Sequence, residues 1–139
     1  MITRKRVEAM LVASIRYSGT YEEAGRHFEW LRRQVGAYIV GPAFCLYSDR
    51  AARGGVVVEC CYPICQVVEA EGVQCGDLEG GEMCADVHHG THGTLGEAWE
   101  ALFDYVEANN LPVRGPRREI YLRGGEGEEG VTELQVPVG

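Results

Sequence analysis

Apolar residues recur along this chain with two periods, one typical of strands and one typical of helices. In the first half, apolar residues at helical spacing follow a capping-box pair, Thr20 and Glu23, and the resulting stripe predicts an amphipathic helix. Alternating and β-branched positions before and after it predict strands. The predicted elements are a strand over residues 7–16, the helix between Thr20 and Gly36, and strands over residues 43–47 and 56–64.

The second half of the chain repeats this order. A second capping-box pair, Thr94 and Glu97, opens a helical stripe that includes Trp99 and ends before Asn109. The stretch 124–130 is rich in Gly and Glu and is predicted to be a surface loop. The predicted elements are a strand over residues 83–88, a helix over residues 94–108, and strands over residues 118–122 and 131–138.

The two halves also share individual residues at matched positions, which indicates an internal duplication. The clearest pairs are Gly19 with Gly90, Thr20 with Thr91, Phe28 with Trp99, Gly41 with Gly115, Glu59 with Glu133 and Pro63 with Pro137. We therefore predict one α+β domain over residues 1–139, built from two βαββ units over about residues 7–64 and 83–138. The prediction is an antiparallel sheet with two helices on one face and a central ligand groove where the units meet.

Charge and composition exclude several classes of function. The formal net charge is −8, which repels phosphate backbones, so we expect no direct binding to nucleic acid. No segment approaches the roughly 20 apolar residues that a membrane span needs, and the basic N-terminus is not followed by a signal-type apolar run. We therefore expect a cytoplasmic protein without membrane contact. None of the six cysteines forms a Cys-x-x-Cys pair, which favours free thiols.

Two matched glutamates are the first candidates for a binding site. Strand alternation places Glu59 and Glu133 on the sheet face away from the apolar positions, and we expect Tyr47 and Tyr121 to share that face. A carboxylate among aromatic rings suits a flat, apolar cation, because ring faces add cation–π attraction. The alternative is that both glutamates are simply solvated residues on an open sheet face.

Three segments, residues 87–102, 116–122 and 132–138, closely resemble the GyrI-like small-molecule-binding domain, the effector-binding module of many multidrug-sensing regulators of AraC and MerR type. The resemblance implies a duplicated βαββ fold in which Glu133 receives cationic drugs and Tyr121 belongs to an aromatic lining. The family usually has Gly-Pro-Tyr where this chain has His92 after Gly-Thr, whereas the first copy keeps a tyrosine, Tyr21. Trp99 is interpreted either as a core residue or as a ligand contact.

The leading hypothesis is a stand-alone module that binds hydrophobic, cationic small molecules, with no cofactor. The expected ligand-binding residues are Glu133, Tyr121, Tyr47, Glu59, Tyr21, His92 and Trp99. One alternative, implied by the resemblance, is a hydrolase that opens cyclopropane rings of DNA-alkylating natural products, with Glu133 as general base and Tyr121 as proton donor. A second alternative is a module with a protein partner. A metal site at His88, His89 and His92 is not predicted, because neighbouring strand residues point in opposite directions.

Overall fold

The structure is a computed structural model that describes residues 1–48, 56–123 and 130–139, and the side chains of Tyr21 and His92 lie outside the described part. The predicted loop over residues 124–130 and the turn before residue 56 fall almost wholly outside it as well. The chain divides into two compact units. The first unit is Ala9–Glu79, and the second unit combines Met1–Glu8 with Gly80–Gly139.

The fold is α+β, and each unit contains one α-helix and four strands among its described residues. In chain order the elements are β1 (Thr3–Val7), β2 (Met10–Ser18), α1 (Ala24–Val35), β3 (Phe44–Ser48), β4 (Val57–Pro63), β5 (Gln74–Leu78), β6 (Gly81–His89), α2 (Leu95–Ala108), β7 (Arg117–Arg123) and β8 (Val131–Val138). Short 3-10 turns, Tyr21–Glu23 and His92–Thr94, precede the two helices. The predicted βαββ order is therefore present twice.

All strand pairs within the units are antiparallel. The first unit has the strand order β3-β4-β2-β5, and the second unit has the order β1-β6-β8-β7. In each unit the helix packs on one face of its sheet through the apolar stripe that the sequence predicts. Leu31 and Val35 of α1 are fully buried against the first sheet, and Leu102 of α2 is fully buried against Leu134 and its neighbours in the second.

The duplication is visible in backbone hydrogen bonds as well as in element order. The amide of Val40 donates to the carbonyl of Pro63 at 2.9 Å, and the amide of Arg114 donates to the carbonyl of Pro137 at 2.9 Å. Because each of these donors precedes a Gly-Pro pair, the matched Gly-Pro and Pro positions of the sequence belong to one repeated strand-end contact. The repeated residues there have a structural role.

Two strands were not predicted from the sequence. The predicted strand over residues 7–16 corresponds mainly to β2, which begins at Met10. Val7 instead ends a separate strand, β1, which is the first missed strand. The other missed strand is β5, which is mostly exposed. Both β1 and β5 lie at the ends of their strand orders, where side chains meet solvent and apolar alternation is weak.

The two predicted capping boxes have different outcomes. Glu23 accepts a hydrogen bond from the backbone amide of Thr20 at 2.8 Å, which is one half of the predicted box. At the second helix the prediction is wrong, because Thr94 makes no side-chain cap bond to α2. Its hydroxyl donates instead to the carbonyl of Thr91 at 3.1 Å and lies 2.7 Å from Nε2 of His88.

The six cysteines are all free thiols, as the sequence favours. Cys65 is exposed and Cys75 is half-buried, whereas the other four are buried. Hydrogen bonding with Cys45, together with burial, raises the pKa of the Cys60 thiol. Among the described residues, no helix combines the length and the apolar character needed to cross a membrane.

Candidate functional site

A buried carboxylate lies between α2 and β7 in the second unit. Residues at alternate positions of a strand share a face, so Arg117, Glu119 and Tyr121 all point to the α2 side of the sheet. The indole Nε1 of Trp99 donates to Oε2 of Glu119 at 2.6 Å, and the hydroxyl of Tyr121 donates to Oε1 at 2.8 Å. Glu119 is only 6% exposed, so these bonds replace much of the water that a carboxylate normally binds.

Aromatic rings and a guanidinium group lie beside this carboxylate. Trp99 and Phe103 are one helical turn apart on α2, and their rings stack with centroids 5.6 Å apart and planes 26° apart. The guanidinium carbon of Arg117 lies 5.3 Å from the Trp99 ring centroid and 5.9 Å from that of Phe103. We call these five residues, Trp99, Phe103, Arg117, Glu119 and Tyr121, the Glu119 cluster. It combines a buried negative charge with ring faces that already attract a cation.

Glu133 lies elsewhere in the second unit. It lines a surface pocket of about 360 Å³ on the sheet face away from α2, which we call the Glu133 pocket. Its Oε2 forms an ion pair with Nζ of Lys5 at 2.7 Å and accepts a hydrogen bond from Nε2 of Gln135 at 2.5 Å. The residues that line the pocket are Met1, Thr3, Lys5, Ala85, Asp86, Val87, His89 and Glu133. This described lining contains no phenylalanine, tyrosine or tryptophan.

The expectation that Tyr121 shares a face with Glu133 is wrong. Residues directly opposite each other in an antiparallel pair lie on the same face, and the partner of Glu133 is Ile120, whereas the partner of Tyr121 is Thr132. Tyr121 therefore points to the α2 side with Glu119. The sequence could not reveal this because neighbouring residues on both faces of β7, Arg118 and Glu119, are buried.

The sequence profile of the GyrI-like small molecule binding domain matches residues 1–139. The chain belongs to this family. A comparison with curated proteins finds no significant sequence match. A comparison with solved structures finds significant matches. Their sequence identities to this chain are low, so these matches show the fold alone.

The GyrI-like fold of this chain is similar to that of several solved structures. The C-terminal domain of EcmrR has a TM-score of 0.85 at 21% identity, over 100% of this chain and 97% of that one. EcmrR bound to DNA has a TM-score of 0.87 at 20% identity, and this chain spans only 57% of its length.

Two further structures with a similar fold are a ligand complex and a protein described as a hydrolase. SAV2435 bound to tetraphenylphosphonium has a TM-score of 0.74 at 12% identity, over 100% of this chain and 94% of that one. A protein from Listeria innocua, described as a hydrolase, has a TM-score of 0.70 at 16% identity, over 99% of this chain and 91% of that one.

In the first unit, the structure separates Tyr47 from Glu59 in the same way. Tyr47 is opposite Val58 on the α1 side of the sheet, whereas Glu59 is opposite Leu46 on the other side, so the expectation of a shared face is wrong here too. Glu59 forms an ion pair with its cross-strand neighbour Arg16 at 3.1 Å. All residues from Phe44 to Tyr47 are buried, so hydrophobicity cannot tell the two faces of β3 apart.

Two further candidates of this GyrI-like domain, Tyr21 and His92, have side chains outside the described part, and only their backbones are placed, in the 3-10 turns. The described His88 lies next to Thr94. Among the described residues, no group of three or more His, Cys, Asp or Glu side chains is arranged to hold a metal ion.

Glu119 is the site residue that sequence reasoning missed. The signal was present in the run Arg117-Arg118-Glu119-Ile120-Tyr121, where alternation places Glu119 and Tyr121 on one face. What the sequence did not show is that this face meets α2 at Trp99, because that contact depends on how the helix packs on the sheet.

Proposed function

We propose that this GyrI-like domain binds hydrophobic small molecules that carry a positive charge, with a buried glutamate as the charge anchor. The observation that carries the proposal is the Glu119 carboxylate, which is 6% exposed and lies between the Trp99 indole and the Tyr121 hydroxyl. An apolar cation would compensate a buried negative charge and stack on the neighbouring rings. The net charge of −8 adds a long-range attraction for cations and disfavours nucleic acid, and the expected site of action is the cytoplasm.

Two glutamates are candidates for the anchor, and Glu119 is the stronger one. It accepts hydrogen bonds from the Trp99 indole and the Tyr121 hydroxyl, so it lies in an aromatic setting that suits an apolar cation. Glu133 forms an ion pair with the ammonium group of Lys5 at 2.7 Å, and the described lining of its pocket has no phenylalanine, tyrosine or tryptophan ring on which an apolar cation could stack. Glu133 remains the second candidate, and the roles of Trp99 and Tyr121 as ring contacts belong to the same proposal.

The remaining ligand contacts expected from the sequence are Tyr47, Glu59, Tyr21 and His92, and they remain proposals. Titration of the single variants Tyr47→Leu, Tyr21→Leu, Glu59→Gln and His92→Ala with tetraphenylphosphonium tests these contacts one at a time, because leucine removes the tyrosine ring.

Isothermal titration with tetraphenylphosphonium, the cation bound to SAV2435, tests the anchor. The ligand control is tetraphenylborate, which has the same shape and the opposite charge. The variants are Glu119→Gln and Glu133→Gln, which keep the size of the side chain and remove its charge. We expect Glu119→Gln to weaken binding by about 10- to 100-fold and Glu133→Gln to change it by less than about threefold.

Three outcomes would contradict this proposal in different ways. Equal affinity of the wild type and Glu119→Gln would remove Glu119 as the anchor, and a large loss in Glu133→Gln alone would assign that role to Glu133. Equal affinity for tetraphenylphosphonium and tetraphenylborate would show that charge is not recognised.

A second candidate function is hydrolysis, which the contact between Tyr121 and Glu119 favours. A carboxylate can take a proton from water while a phenol donates one to the leaving atom, and the two groups here are 2.8 Å apart. The structural neighbour from Listeria innocua that is described as a hydrolase points in the same direction. The base would be Glu119 rather than Glu133, which lies on the other face of the sheet from Tyr121.

Incubation with a cyclopropane-bearing alkylating compound tests hydrolysis. In that reaction, water adds to a ring carbon and one ring C–C bond breaks, so the product gains the mass of one water molecule. We expect wild type to give this product and Glu119→Gln to lose it by mass spectrometry. Binding without any mass gain would exclude the reaction and leave the binding function.

A further inference from the structure

The aromatic faces of the Glu119 cluster are already occupied by a cation from the protein itself. Arg117 lies two residues before Glu119 on the same face of β7, and its guanidinium carbon is within 5.9 Å of both the Trp99 and the Phe103 ring centroids. We propose that Arg117 is a resident cation, which an incoming ligand cation displaces from these rings. This inference rests on the proposed function and specifies how the same site selects its ligand.

The charges of the cluster explain why the exchange selects cations. With Arg117 in place, the buried carboxylate of Glu119 has a positive group beside the same Trp99 ring to which it is hydrogen-bonded. A ligand cation that replaces Arg117 keeps the number of charges in the cluster unchanged. A neutral ligand of the same shape would move the Arg117 charge away from the buried carboxylate without replacing it, which is costly in a partly dehydrated site.

The shape of the resident group indicates the class of ligand. A guanidinium is planar, delocalised and weakly hydrated, so it stacks on aromatic faces better than a compact ammonium does. The ligands that replace it most easily are therefore apolar cations with delocalised or shielded charge, such as aryl amidinium ions, dyes or arylphosphonium ions. Small primary amines lose more hydration energy and compete poorly.

A matched contact exists on the same helix. The guanidinium carbon of Arg4 lies 5.9 Å from the Tyr105 ring centroid, but Arg4 is exposed and belongs to β1. This pair is similar in distance and differs in its setting, because it lies outside the Glu119 cluster. Arg4 is therefore the control for general effects of removing a stacked arginine.

Titration of Arg117→Gln and Arg4→Gln with tetraphenylphosphonium tests the displacement. Because the ligand no longer competes with a resident cation, Arg117→Gln is expected to bind about 3- to 30-fold more tightly than wild type. Arg4→Gln is expected to bind within about twofold of wild type. Unchanged or weaker binding by Arg117→Gln, in a variant whose circular dichroism shows that it is folded, would overturn the proposal.

A second measurement does not depend on the proposed function. The chain has two tryptophans, so Trp30→Phe, at an exposed position, leaves Trp99 as the sole fluorophore. In this background, Arg117→Ala is titrated with methylguanidinium, with methylammonium as the compact control. We expect a saturable change in Trp99 emission with methylguanidinium that is absent when Arg117 is present.

The two measurements separate the possible failures. If no variant binds tetraphenylphosphonium but methylguanidinium restores the Trp99 signal, the proposed function fails and the resident cation stands. If methylguanidinium gives no saturable signal, or methylammonium gives the same one, the ring faces do not select a delocalised cation and the inference is wrong.

Discussion

At the scale of single residues, Glu119 shows how a buried charge is tolerated. Taking a carboxylate out of water costs several kcal/mol unless hydrogen bonds replace its hydration. Trp99 donates one such bond to Oε2 of Glu119, and Tyr121 donates one to Oε1. The Tyr121 bond lies within β7, whereas the Trp99 bond joins α2 to β7, so this second bond also holds the helix against the strand.

The Tyr121 hydroxyl is predicted to contribute to stability. Tyr121→Phe removes one donor and leaves Oε1 of Glu119 short of a hydrogen bond, so we expect the free energy of unfolding to fall by about 1–3 kcal/mol. Urea denaturation followed by circular dichroism measures this. The control is Tyr105→Phe on α2, for which the described part of the chain offers no hydroxyl partner, and its effect should be within about 0.5 kcal/mol of zero. Equal losses in both variants would show that the Glu119 contact does not matter for stability.

At the scale of secondary-structure elements, the matched glutamates of the two units have matched ion pairs. Glu59 meets Arg16 from the neighbouring strand β2, and Glu133 meets Lys5 from β1, two strands away. In both cases the carboxylate is mostly buried and the basic partner is largely exposed. A strand contact of this kind explains why Glu, a poor strand former, recurs at this position without reference to any ligand.

A double-mutant cycle measures the Lys5–Glu133 contact. We expect Lys5→Met and Glu133→Gln to show a coupling energy of about 0.5–1 kcal/mol at low salt, and less at high salt, because Lys5 is 44% exposed and solvent screens the pair. The matched control is Glu29–Arg33 on α1, at 2.8 Å with both side chains exposed, which should give about 0.3–0.5 kcal/mol or less. A coupling near zero for Lys5–Glu133 would leave the recurrence of Glu without this structural explanation.

How far the sequence predicts an element depends on whether its two faces differ. The helices have one apolar side and one polar side, and β4 and β8 have a regular apolar set on the face toward their helix. The predicted limits of these four elements lie within one or two residues of those observed, except at the first turn of α1. On β3 and β7, residues of both faces are buried, so the alternation does not show which face meets the helix. The sequence-based prediction therefore assigns Tyr47 and Tyr121 to the wrong face. The Glu119 cluster depends on helix-to-sheet packing, which no local pattern encodes.

At the scale of the whole molecule, the buried thiols report whether each unit is closed. Cys45, Cys60 and Cys61 lie in the first unit and Cys84 lies in the second, and all four side chains are fully buried. Only a thiolate reacts quickly with alkylating agents, and a buried thiol must first be exposed by an opening motion.

Alkylation is therefore predicted to follow exposure and pKa. With iodoacetamide at mildly alkaline pH, Cys65 should be labelled first, because it is exposed. Cys60 should be among the last, because a raised pKa keeps its thiol protonated well above the pH at which an ordinary cysteine ionises. Peptide mass spectrometry after timed quenching measures each site, and a denatured sample is the control in which all six react. Labelling of Cys60 as fast as Cys65 in native protein would contradict the closed first unit.

The second unit draws on both ends of the chain, because β1 pairs with β6 and places Val7 opposite Gly81. During translation, β1 is made before the first unit, whereas its strand partner β6 is made only after the whole of that unit. The nascent β1 therefore has no strand partner during this time. Its basic residues Arg4, Lys5 and Arg6 keep it hydrated and disfavour pairing with other exposed strands. During synthesis, the first unit can therefore fold before the second is complete, and the Lys5–Glu133 pair can form only after β8 has been made.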